Sequence, residues 1–267
     1  MNDIYSILLM RLSKTITSHN RIIPWATPVP VFGDSVRSKV ATLGLNPSNR
    51  EFVDTKGNEL QGEYRRFHTL NSLMLDDWSK VNKSHLNLIE KSCEEYFYNN
   101  PYDNWFAALN KLISGTGCSY YNSLFGKACH LDLVPYATSV KWSSLTSTQK
   151  KNLLELSSDA LVELLNNSSI KLLILNGSTV VKSFQDIFNI ELNIKKEDEW
   201  TLPRDKGKGV TGFSFYGKID HLSNINLNRE IVVIGFNHNI QSSFGVTNNI
   251  KLSIQNWITG ISNGIEL

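Results

Sequence analysis

Four short apolar runs, residues 39–45, 129–134, 170–175 and 230–236, each end in a polar or proline-bearing turn, and this recurrence is what most constrains the fold. Runs of that length, rich in Val, Leu and Ile with little polar alternation, read as strands buried on both faces. Such strands need helices as cover. Helical spacing follows them: 84–98, 103–113, 146–166, 178–188 and a last stretch starting near 248. Thr146 and Gln149 form a capping box at the head of the longest of these. The pattern predicts an α/β fold, a three-layer α/β/α sandwich around a central, mostly parallel, four-stranded sheet. Right-handed crossovers would then gather every strand's carboxyl end on one edge, where open α/β sheets place their chemistry.

The remaining segments are assigned around that frame. Residues 1–38 read as a short amphipathic helix followed by a proline-rich extended wrap, 50–63 as a polar turn or hairpin, and 67–78 as a helix, from Phe67, Leu70, Leu73, Met74 and Trp78. Residues 190–228 read as a surface excursion, with the charged run 195–199 solvated. No Pro/Gly/Ser-rich linker divides the chain, so a single domain over 1–267 is expected. A hydrophobic content of 41% with 19% charged residues fits a soluble globule, and no stretch is suited to span a membrane. Net charge is +2, too small to bind nucleic acid by bulk electrostatics, so any such binding needs local basic patches. The three cysteines, Cys93, Cys118 and Cys129, lack CxxC spacing. A zinc site, an iron–sulfur cluster and a disulfide framework are therefore not indicated, and a cytoplasmic, monomeric protein without metal or cofactor is the expectation.

The chemistry-bearing residues lie at three of the strand ends. The first run passes into Thr42-Leu43-Gly44-Leu45-Asn46-Pro47-Ser48-Asn49. There Gly44 lets a ligand approach the backbone, Pro47 fixes φ and ends the ladder, and Asn46 is held between them as an aimed amide. The second run, CHLDLV, is closed by Pro135 and carries the anomalous Asp132 in its middle. The fourth runs into Asn237-His238-Asn239-Ile240-Gln241-Ser242-Ser243. Other motifs fail: Gly115-Thr116-Gly117 is followed by Tyr120 where a dinucleotide fingerprint needs glycine, no GxxxxGK[ST] loop exists, and neither Ser178 nor Ser214 sits in a GxSxG elbow. His68, His85 and His130 read as structural.

Taken together, GLNPS (44–48), HLDLVPYA (130–137), KLLILNGSTVVKSF (171–184) and NHNIQSS (237–243) resemble the motifs of the uracil-DNA glycosylase superfamily, in the same order and at the same strand ends. The resemblance covers about 29–257 and departs from the family at Ser48, Asn239 and Ile240 and through much of 50–100. It implies a monofunctional DNA glycosylase that flips a base out of double-stranded DNA. Asn46 would position the attacking water, with Gly44 and Leu45 backbone groups holding sugar and base, and His238 would donate to the base's O2. Asp132 and Tyr136 would lie against the base, with Phe52 or Phe67 stacking on it. Ser48, Arg65, Arg66, Asn239, Ser242 and Ser243 would meet DNA, and Ile240 or Phe244 would wedge into the gap. Relatives often carry Asn at the position of Asp132. An ionised Asp only accepts hydrogen bonds, so it favours the N4–H of cytosine over O4 of uracil. A modified cytosine is thus the expected target, in repair or in defence against phage DNA. Two alternatives stay open: an inactive relative that binds DNA or modified bases, and an unrelated α/β nucleoside-processing hydrolase.

Overall fold

The computed structural model describes residues 2–14, 17–122, 126–204, 209–241 and 245–267. Its strands are β1 (Val31–Phe32), β2 (Val40–Gly44), β3 (Cys118–Ser119), β4 (Gly126–Asp132), β5 (Leu172–Asn176), β6 (Asn193–Leu202), β7 (Val210–Leu222) and β8 (Ile225–Phe236). The helices are α1 (Asn2–Lys14), α2 (Thr17–Asn20), α3 (Lys83–Glu94), α4 (Asp103–Ile113), α5 (Ser147–Asn166), α6 (Ser178–Phe188) and α7 (Asn248–Ser262). The strands form a mixed sheet in the order β1-β4-β2-β5-β8-β7-β6, with β3 beside β4. The α/β class is as the sequence predicts. The sheet differs, with eight strands among the described residues in place of four.

The chain forms two compact units, each built from three discontinuous segments: Met1–Ser35, Leu45–Tyr102 and His130–Asn167 in the first, Val36–Gly44, Asp103–Cys129 and Ser168–Leu267 in the second. In the second unit, β2 and β5 are buried at every position, as parallel strands covered on both faces must be. β2 pairs with β5 and β5 with β8, both parallel, in registers that match Leu43 to Leu175 and Asn176 to Phe236. Helix α6 lies on β5 and β8, and α7 packs against α4 and β6.

The segment expected as a surface excursion is the antiparallel half of this sheet. β6 pairs with β7 and β7 with β8. The glycines that disguise β7 as loop are there to admit neighbours. A Cβ on Gly212 would stand 2.2 Å from Cβ of Trp200, and one on Gly217 would stand 2.6 Å from Leu192 Cδ2. Trp200 is buried, edge-on to Trp257 at 5.3 Å, with its indole N–H donated to Ser253. The run 195–199 does present a mostly exposed face.

In the first unit, β1 pairs antiparallel with the end of β4, Val31 opposite Leu131 and Phe32 opposite His130. α1 contacts α3 and α5, and the capping boxes at Asn82/His85 and Thr146/Gln149 start α3 and α5. The helix expected over 67–78 is absent. Only 3-10 turns, Asn71–Leu73 and Trp78–Lys80, form there. Thr69 and Ser72 exchange side-chain-to-backbone hydrogen bonds, an alternative to the helical ladder. The Leu70 and Thr27 N–H groups bond across to Trp25 and His68 carbonyls, and Met74 turns left-handed at φ 54°, its side chain 92% exposed.

Substituting Gly212→Ala should destabilise the protein by about 1–3 kcal/mol, because Trp200 has no room to yield. Equilibrium denaturation measures this, and an unchanged midpoint would refute the close approach of β7 to Trp200.

Candidate functional site

The first unit joins two of the sequence motifs. The Val134 N–H donates to the Leu45 carbonyl at 2.9 Å. One residue on, the Asn46 amide nitrogen donates to Thr138 Oγ1 at 3.0 Å, the Pro47 carbonyl at 3.2 Å and the Tyr136 carbonyl at 3.3 Å. The Thr138 hydroxyl spends its own proton on the Val140 carbonyl at 2.8 Å, so toward Asn46 it can only accept. Three acceptors around one nitrogen fix which end of the amide is which. The Asn46 Oδ1 is thereby oriented away from them, and no donor among the described residues meets it. Ser48, exposed, caps the following turn Asn49–Glu51 through the Arg50 N–H.

Asp132 ends β4 and is 5% exposed. His130, two residues earlier and so on the same face of the strand, brings Nε2 to 3.4 Å from Asp132 Oδ1. The Phe32 ring is 5.5 Å from the His130 ring on the neighbouring strand and 4.9 Å from Tyr96.

Beside this group lies a carboxyl that sequence reading passed over. Glu51 is 3% exposed. The Tyr96 hydroxyl donates to its Oε2 at 2.8 Å, and Arg66 Nε lies 3.8 Å from the same atom. Burial raises its pKa from the ordinary 4.5 to about 7; Tyr96 and Arg66 oppose that shift, and the charge of Asp132 adds to it. Nothing local in the sequence marks Glu51, since its partners come from positions 66, 96 and 132.

Several expected site residues serve packing. Phe67 stacks on Tyr96, centroids 5.1 Å apart and planes 8° apart, and Phe52 lies against Phe67 and Trp25, so neither buried ring offers a free face like the one expected. The Tyr136 side chain is buried and donates to the Leu8 carbonyl at 3.0 Å; only its backbone oxygen reaches Asn46. Arg66 donates to the Arg50 and Asn100 carbonyls and stands over the Tyr102 ring, so its guanidinium is used internally. Arg65 is half-buried.

In the second unit, His238 is buried and its Nε2 lies 2.6 Å from the Trp200 carbonyl. A carbonyl only accepts, so that nitrogen carries the proton, and a neutral ring then has none left on Nδ1 for a base. The β6–β7 ladder is irregular between Glu197 and Leu202, the interval in which His238 finds this carbonyl. Ile240 is 3% exposed, buried where a wedge should project, while Asn239 is exposed and accepts from the Gln241 N–H. Asn176, at the end of β5, donates to Gln241 at 2.8 Å; Asn176 Oδ1 and Gln241 Nε2 are buried and meet no partner among the described residues. Ser242, Ser243 and Phe244 lie outside the described residues.

Among the described residues, no group of three His, Cys, Asp or Glu side chains is gathered as a metal ion requires, and no helix is long and apolar enough to cross a membrane. Neither a protein-family model nor a curated protein matches this chain.

The raised pKa of Glu51 has a stability consequence with a defined sign. Below pH 4.5 the carboxyl is neutral in both folded and unfolded chains, and its stabilising contribution is fully present. Between 4.5 and about 7 only the unfolded chain ionises, so stability falls, by about 3 kcal/mol in all. In Glu51→Gln this fall should be missing. Urea denaturation across that pH window, compared between the two proteins, tests it; parallel curves would contradict the assignment.

Proposed function

We propose that this chain is a monofunctional DNA glycosylase of the uracil-DNA glycosylase type, three-layer fold included, that hydrolyses the N-glycosidic bond of a flipped-out 4-amino pyrimidine. The observation that carries the reading is the Asn46 amide, whose nitrogen is bound by three acceptors and whose oxygen is left to engage a water. The motif resemblance adds the reaction. In this hydrolysis the water oxygen bonds to C1′ of the sugar, the C1′–N1 bond breaks with its electron pair leaving on the base, and the water's surplus proton passes to solvent or base. Because the sugar becomes cation-like before the nucleophile is fully bonded, a fixed acceptor that orients the water contributes without being a strong base.

Asp132 is the specificity residue in this reading. Its carboxylate accepts from an exocyclic amine and repels a carbonyl at the same place. Excision of unmodified cytosine would destroy the cell's own DNA, so a modified cytosine, as in foreign DNA, is the fitting substrate. His238 takes no step in this account, its proton being committed to Trp200. That commitment, with the burial of Ile240, favours a second reading, a relative that binds bases without turnover.

Labelled duplexes carrying cytosine, 5-hydroxymethylcytosine, a glucosylated hydroxymethylcytosine or uracil, incubated with the protein and then treated with alkali, distinguish the two. The first reading expects strand breaks with at least one modified cytosine, and about a 100-fold or greater loss in Asn46→Ala with binding retained. Binding of modified duplexes without any breaks supports the second. Asp132→Asn should shift whichever preference is seen toward uracil, because an amide both donates and accepts. Efficient uracil release by the unaltered protein, with every modified cytosine ignored, would overturn the role of Asp132.

A further inference from the structure

We propose that the second unit carries a binding cavity for a mononucleotide, in which Lys171, Lys218 and Arg229 hold the phosphate and the base lies against Tyr216. None of these residues enters the hydrolysis proposed above, so the inference stands apart from it.

A cavity of about 510 Å³ opens between β7 and β8 on one side and the carboxyl end of α7 on the other. The ladder fixes its floor. Lys218 pairs with Val232 and Val232 with Leu172, and the Val232 N–H donates to the Lys171 carbonyl at 2.9 Å. Tyr216, two residues before Lys218, shares its face of β7. The cavity thus lies where the pairing of β5 with β8 begins, at the opposite end of these strands from Asn176 and His238. Helix α7 leaves the space open because glycines face it. A Cβ on Gly260 would meet nothing within 4 Å, and one on Gly264 only the Ile261 carbonyl at 3.5 Å.

The three cationic side chains that line the cavity outnumber its two carboxylates, Glu230 and Glu266. Lys218 is matched by Glu230 at 2.7 Å. Lys171 is not matched: its ammonium donates to the Glu266 backbone carbonyl, and no carboxylate among the described residues lies within ion-pair distance. Arg229 is positioned by donating to the Ile170 carbonyl and the Ser168 hydroxyl at 2.9 Å each, and burial lowers its pKa from the ordinary 12.5. A cation held partly out of water attracts an anion more strongly than one in bulk solvent. Lysine and arginine together suit a phosphate. A bare phosphate would leave most of the space unfilled, since cavities of this size hold whole small molecules. The remaining wall is apolar, made by Val232, Ile261 and Ile265. Beside it Tyr216 is half-buried, with no other ring against it among the described residues. An aromatic face next to aliphatic side chains takes a flat ring. A nucleoside monophosphate unites the ring and the anion in one molecule.

Proton–nitrogen NMR titration of the full chain with AMP, dCMP, their nucleosides and inorganic phosphate tests this without an enzymatic assay. The Gly260 and Gly264 amide signals are identified by their loss on substitution with alanine, which fits because neither glycine has a positive φ. Both signals should move with at least one nucleotide, at an affinity about tenfold or more above that for its nucleoside and for phosphate. Gly260→Leu, which fills the open space, and Lys171→Ala should each weaken that binding about tenfold or more. If Gly260→Leu does not fold, Lys218→Glu, at an exposed position, takes its place with the same expected loss. Glycine signals that stay still at millimolar nucleotide, or an unchanged affinity in the filled variant, would overturn the site. Equal binding of inorganic phosphate would refute the place given to the base, and equal binding of the nucleoside would refute the role of the cations. Each of these outcomes is read whether or not any duplex is cleaved.

Discussion

Burial of β2 and β5 on both faces governs where this protein can hold polar chemistry. A strand sealed above and below has no solvent face for a polar side chain, and its backbone groups are consumed by its neighbours. The polarity that the chain needs is pushed to the strand ends. The turn after β2 accordingly carries Asn46, and the end of β5 carries Asn176 bonded to Gln241. Asn46 is then immobilised by acceptors from its own turn and from 136–138, so a terminal position becomes a rigid one.

The parts of the fold that were legible in the sequence are those whose signal is local. The apolar runs and the helices α4, α5 and α6 have periodicities or caps that point one way, and the structure has them within a few residues of the expected bounds. Residues 67–78 show the opposite case. Their apolar spacing fits a helix, but the reciprocal Thr69–Ser72 bonds and the contacts to 25–27 win over a propensity worth only tenths of a kcal/mol per residue. β7 was hidden for another reason: its glycines read as turn residues, and their purpose appears only once Trp200 and Leu192 are opposite them.

The candidate site divides in the same way. Asn46 and Asp132 are conspicuous because each is a polar residue in an apolar or rigid setting. Glu51 is not, since a glutamate in a polar turn is the commonest of surface residues. Its burial depends on Arg66 and Tyr96, which no spacing rule connects to it. Phe52 and Phe67 illustrate the converse error, in which aromatic residues near a motif are assigned to a ligand although their neighbours in space are other rings.

The interleaving of the two units along the chain bears on how the protein is made. The last segment of the first unit ends at Asn167, so all of its parts have been synthesised while β5, β6, β7 and β8 are still to come. During that interval β2 is without β5, the parallel neighbour that occupies one of its edges. An apolar strand with an open edge is a template for other chains. Vectorial synthesis thus imposes a waiting period on a strand buried at every position in the finished sheet, and slow translation beyond residue 167 would lengthen it.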